Sequence, residues 1–395
     1  MTFRILSLDG GGIRGVLSAT LLKQVEKIVR EKTGQELHQY FDLIAGTSTG
    51  SIIAAGIACK INADELVKIY QKEGKNLFPE RIRGQRKWRF FSQLFGNHVL
   101  YPHEYGDQGL INVLKRNLID KESGKCLTIR DIQKPQLLIL SYDLFTRNTT
   151  WFANDDETEW YYDNDLKLWE ICTASSSAPT FFPPYKIFNP RKQKSLPHTD
   201  GGVSANNPNL AAIAHALLMK KNDPQETETK LDEIAVLSIG TGRTTRPYTY
   251  DQVKKWGALG WIQHLPDLFL DPSSEISEEV SYRLFRSIES NKYLRLDFDL
   301  NKRPEGEKEV YNEYILKRDK SKEEVCEDID NPEACKQLIK AAECYLDCGE
   351  VHYGGDWVPV QSAIEQFVES YQDKDVENND NNNSVTESLS SKNAP

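Results

Sequence analysis

No segment of this 395-residue chain supplies the ~20 consecutive apolar residues that a membrane-spanning helix needs. The opening Met1-Thr2-Phe3-Arg4 is followed only by Ile5 to Leu8 before Asp9, too short an apolar run for the hydrophobic region of a secretory signal. Membrane contact is therefore expected to be peripheral, and the expected compartment is the cytoplasm. The seven cysteines are scattered and form no disulfide framework, which agrees with a reducing compartment. Cys326, Cys335, Cys344 and Cys348 lie near His352, but their spacing lacks the paired C-x-x-C of a zinc site, so no metal or other cofactor is assigned. Positive charge is not in excess either. A net charge of -10 repels phosphate backbones, and a nucleic-acid partner is not expected.

What remains is ordinary globular composition, 39% hydrophobic and 27% charged, in a chain long enough for a large core. Ile5 to Leu8 reads as a buried strand, Gly10 to Gly15 as a turn, and Val16 to Lys32 as a helix with Leu17, Leu21, Val25 and Ile28 on one stripe. The pattern repeats: a strand over Phe41 to Ala45, a glycine turn, then a helix over Ser51 to Lys60. Further strands are expected at Gln136 to Tyr142, Glu233 to Ile239 and Lys292 to Phe298, and a helix from Pro208 onward. Such alternation predicts an α/β fold with a mainly parallel sheet covered by helices. Residues 301–348 are highly charged and expected to be helical, and beyond about Asp373 the Asn, Asp and Ser-rich tail cannot form a core.

Two glycine turns carry the chemistry. Asp9-Gly10-Gly11-Gly12-Ile13-Arg14-Gly15 lies between a strand and a helix, where backbone N–H groups can converge at a positive helix end and hold an anion or a developing oxyanion. Gly10, Gly12 and Gly15 also match the dinucleotide fingerprint, which keeps an oxidoreductase open. That reading needs an acidic residue at the end of the second strand. The chain has Ala45-Gly46-Thr47-Ser48-Thr49-Gly50 there instead, a G-x-S-x-G pentapeptide that suits a nucleophile elbow.

A serine hydroxyl needs a base. None of the seven histidines stands in a setting that marks a triad member; His198 is the best placed, two residues from Asp200. A desolvated aspartate can serve directly. Asp200, followed by Gly201 and Gly202, is one choice, and composition alone does not separate it from Asp42 or Asp143.

Through ordered blocks the chain resembles the patatin-like phospholipases: Asp9 to Gly15, Gly46 to Gly50, Ala174 to Pro184, Asp200-Gly201-Gly202 and Asn206-Asn207-Pro208. The resemblance covers roughly residues 3 to 245. It implies a three-layer α/β sandwich and hydrolysis of fatty acyl esters of membrane lipids, with no cofactor. It also implies Ser48 as nucleophile, Asp200 as base, and an oxyanion hole from Gly10, Gly11 and Gly12, with Arg14 adding charge and the Thr49 N–H contributing. One domain over residues 1–372 is expected, its motif-bearing core about 3–245 and its charged extension about 300–372, followed by a disordered tail at 373–395. Two stretches, the basic and aromatic Arg81 to Phe95 and the aromatic Trp256 to Leu270, suit either a lipid surface or lid or packing of their aromatics into the protein's own core. Because some bacterial patatin-like enzymes are switched on by cyclic nucleotides, a partner- or nucleotide-gated phospholipase is the alternative.

Overall fold

In the computed structural model, residues 2–77, 107–155, 165–179, 181–219, 229–257, 260–261, 264–304 and 309–371 are described. Strand β1 (Phe3–Leu8) lies at the centre of the main sheet. It pairs in parallel with β2 (Leu43–Thr47) on one side and β7 (Ile234–Ile239) on the other. Beyond β2 comes β3 (Gln136–Asp143), parallel to it, and beyond β7 comes β8 (Tyr293–Leu296), also parallel. The other edge is antiparallel, built from β4 (Asn148–Ala153), β5 (Tyr185–Asn189) and β6 (Lys194–Asp200).

The central strands are apolar on both faces because helices cover both. Alternation along each strand divides its side chains between two cores. Leu6, Leu8, Ile44, Leu137, Ile139 and Leu237 face one core; Ile5, Leu43, Ala45, Leu138, Leu140 and Val236 face the other. The first core is closed by α1 (Gly15–Thr33) and α2 (Thr49–Ala58), with α3 (Ala63–Leu77) and α4 (Gln108–Asn117) outside them. On the second face lie α6 (Asn209–Leu218) and α7 (Leu265–Ser287); α5 (Leu168–Ser175) packs beside β3 and β6. The expected α/β sandwich with a mainly parallel sheet is what the chain forms.

The charged extension departs from its expectation. Within 301–348, the regular helices among the described residues are Glu313–Asp319 and α8 (Cys335–Cys348). The chain between them is irregular and fixed by side chains: Asn301 Nδ2 donates to Val325 O and Asn301 Oδ1 accepts from Val325 N, each at 2.8 Å. Leu338 of α8 and Phe367 of α9 (Val360–Ser370) are fully buried in the same core as α1. Arg81 to Phe95 and 373–395 lie outside the described residues.

Because Phe367 has no exposed surface and packs in that core, Phe367→Ala is expected to destabilise the chain by about 3–5 kcal/mol. Denaturant unfolding measures this; a loss under about 1 kcal/mol would show residues 360–370 to be loosely attached.

Candidate active site

Ser48 sits between β2 and α2 with φ 53° and ψ -123°, a conformation costly for a residue with a side chain. Close packing beside it requires glycine in the first turn of α2: a Cβ on Gly50 would lie 2.1 Å from Leu8 O. The strained turn lifts the serine above the sheet edge, and the first residue of α2, Thr49, has an N–H with no acceptor one turn earlier.

Strand register brings Asp200 to this point. One edge of β3 pairs with β4 over Leu138 to Asp143. On the opposite edge β2 pairs as far as Thr47 with Leu140, and β6 takes over at once, Asp200 with Ser141. The C-terminal ends of β2 and β6 therefore meet head to head. Ser48 Oγ donates to Asp200 Oδ2 at 2.6 Å, and Gly202 N donates to Asp200 Oδ1 at 2.7 Å. A serine-rich segment clamps both chains. Ser48 N donates to Ser175 Oγ at 2.9 Å, Asp200 N to Ser177 O at 3.0 Å and Gly201 N to Ser175 O at 3.1 Å.

Asp200 is 4% exposed, and burial pushes its carboxyl up to about 6 although the bonds from Ser48 and Gly202 oppose the rise. Next to the pair is a cavity of about 250 Å³ lined mostly by apolar side chains, among them Ile52, Leu77, Leu110, Phe181, Phe182 and Leu270. Gly11, Gly12 and Thr49 reach the same cavity. Among the described residues, the Gly11 and Gly12 N–H groups donate to no protein acceptor.

Two expectations, for Gly10 and Arg14, need correction, and His198 is no base. Gly10 N donates to Asn206 O at 2.9 Å, so that amide is already committed and is not available to an oxyanion. The Arg14 side chain lines a different cavity, behind the glycine loop, because its backbone turns into the first turn of α1. His198 is a core residue: its Nε2 meets Thr150 Oγ1 at 3.1 Å, its ring lies 5.8 Å from that of Phe152, and it has no exposed surface. Sequence reasoning missed the clamp by Ser175 and Ser177, since a buried serine in a helix end carries no periodic signal.

A family model described as Patatin-like phospholipase matches residues 6–213. Patatin-like protein 3 of Arabidopsis thaliana is 32% identical over 397 residues, covering 85% of this chain and 87% of the relative. The cGAMP-activated phospholipase of Vibrio cholerae serotype O1 is 32% identical over 241 residues, 60% of this chain and 64% of its own. Probable inactive patatin-like protein 9 of Arabidopsis thaliana is 31% identical, covering 61% of each chain.

The elbow packing is open to test. Gly50→Ala drives a methyl into the Leu8 carbonyl and is expected to cost about 3 kcal/mol or more. Gly34→Ala, at φ 69° with open space around the added Cβ, is expected to cost only about 1 kcal/mol. Paired urea titrations compare the two; equal losses would mean that the elbow has room to spare.

Proposed function

This chain belongs to the patatin-like phospholipase family, and on that premise we propose that it is a serine acyl hydrolase cleaving fatty acyl esters of membrane lipids, with Ser48 as nucleophile and Asp200 as general base. The observation that carries the reading is the 2.6 Å bond from Ser48 Oγ to a carboxylate that burial has made more basic, at the mouth of an apolar cavity.

In this mechanism Ser48 Oγ attacks the ester carbonyl as its proton passes to Asp200 Oδ2. The carbonyl oxygen gains the negative charge, and the Gly11, Gly12 and Thr49 N–H groups are the free donors that suit it. Collapse of the tetrahedral species returns the proton to the leaving alcohol and leaves an acyl-Ser48 ester. Asp200 then takes a proton from water, whose attack releases the fatty acid and restores the hydroxyl. The apolar lining holds the acyl chain and keeps bulk water from the carboxylate. Among the described residues no helix is long and apolar enough to cross a membrane. A lipid substrate calls for contact with a membrane surface. Trp256, stacked 4.3 Å from His264 and edge-on to the exposed Trp261, suits such contact.

A second reading, hydrolysis switched on by a cyclic dinucleotide, is favoured by the similarity to the cGAMP-activated phospholipase. Its check is the same lipid assay with and without cyclic GMP-AMP: stimulation supports gating, and an unchanged rate rejects it for that ligand.

Ser48→Ala and Asp200→Asn are each expected to lower lipid hydrolysis by a factor on the order of 10⁴ or more, with products resolved by mass spectrometry. Full activity in Ser48→Ala would end the proposal. The base must be ionised to accept a proton, so kcat/KM is expected to fall as pH drops through about 6, where an unperturbed carboxyl would hold activity to below pH 5. A flat profile from pH 5 to 8 would remove Asp200 from the role.

A further inference from the structure

Arg14, expected to add charge to the oxyanion hole but lining another cavity, is 4% exposed. Its side chain makes no ion pair or hydrogen bond with the described residues, and its Nε is buried without an acceptor. A guanidinium left alone in this way is costly unless something outside the chain neutralises it. It lines a cavity of about 510 Å³ beside the N-terminal end of the 19-residue α1, where the helix end adds positive potential. The facing wall is one side of α7, with Asp271, Glu275, Glu278 and Glu279 at spacings of three, four, seven and eight residues. Most of the acids at this site have partners. Asp9 and Asp297 bind Arg295 at 2.6 and 3.0 Å, Glu278 lies 3.4 Å from Arg295, and Glu279 lies 2.5 Å from Arg283. Glu275 is exposed and has no partner among the described residues. Asn206 lines both this cavity and the one at Ser48, and its buried Oδ1 has no donor among the described residues.

We propose that this second cavity takes a phospho-ammonium zwitterion, its phosphate against Arg14 and its ammonium against Glu275. A bare phosphate would meet the acidic face of α7, and a bare amine would meet Arg14; one group of each sign satisfies both walls. Two sources carry that chemistry, the headgroup of an ethanolamine or choline phospholipid and a free phospho-ammonium compound. The shared Asn206 wall favours the headgroup, with the acyl ester of the same lipid at Ser48. That assignment of source rests on the acyl hydrolase reading; the charge pattern does not.

Calorimetry on the full chain with glycerophosphoethanolamine and glycerophosphoglycerol tests the site without any hydrolysis. The ethanolamine compound is expected to bind about tenfold more tightly. Arg14→Gln should weaken both by roughly tenfold or more without lowering the melting temperature, since no hydrogen bond or ion pair with the described residues is lost and the apolar stem is largely kept. Glu275→Gln, at an exposed position, should weaken only the ethanolamine compound and make the two equal. Absence of binding, or equal binding of both to the unmodified chain, overturns the proposal. The source is decided in mixed micelles. If the cavity is a headgroup subsite, Glu275→Gln brings the kcat/KM ratio of ethanolamine to glycerol phospholipid toward one through KM; an unchanged ratio overturns the headgroup assignment. Should the chain hydrolyse neither lipid, the function proposed above fails while the calorimetry still judges the cavity.

Discussion

Two strands ending against each other, on one edge of a third, are what the rest of the site depends on. β2 runs along β3 to Thr47, β6 arrives from the opposite direction to Asp200, and no intervening residue separates their partners Leu140 and Ser141. Such a meeting leaves no room for side chains at the junction. A Cβ on Gly201 would lie 2.3 Å from Leu140 O, just as one on Gly50 would press on Leu8 O. The serine and the carboxylate are thus held by backbone pairing and by close chain approach, which are more rigid than side-chain packing alone.

That rigidity has an electrostatic consequence. A carboxylate fixed at a dry junction loses solvation that the donors from Ser48 and Gly202 only partly replace, so its proton affinity rises. The same burial that costs stability makes Asp200 a better base, and the strain at Ser48 is a second cost located at the same point. Both costs are borne by the two cores, with the fully buried Leu6 of the central strands in one and Leu138 and Val236 in the other.

How much of this was legible in the sequence follows from where the signals are local. The strand, turn and helix units at Asp9 to Gly15 and Gly46 to Gly50 are contiguous, and apolar runs such as Ile234–Ile239 mark strands buried on both faces. The antiparallel edge was not visible, because Lys194–Asp200 mixes Lys, Ser, Pro, His and Thr, and its partner strands face solvent in part. Hence Asp200 could not be preferred over Asp42 or Asp143 from the residues without the family resemblance. The structure gives those two other duties: Asp42 receives the Arg4 guanidinium at 3.1 Å, and Asp143 accepts from Phe145 N at 2.8 Å. Nor does a glycine run state which of its amides are free, since that depends on acceptors far away in the chain.

The glycine loop shows why the distant chain matters. Asp9 N donates to Ile239 O at 3.1 Å, Gly10 N to Asn206 O, Ile13 N to Ile329 O at 2.8 Å and Arg14 N to Gly11 O. Each flanking amide is thus tied to β7, to the segment after Asp200, to the extension or to the loop itself. Beneath them Asp9 is clamped by Arg295, although burial still lifts its carboxyl to about 7. With its neighbours committed, the loop leaves Gly11 and Gly12 to line the Ser48 cavity. The oxyanion hole proposed above would be preorganised by the commitment of its neighbours, and Ile329, which lines the cavity at Ser48, brings the charged extension to it.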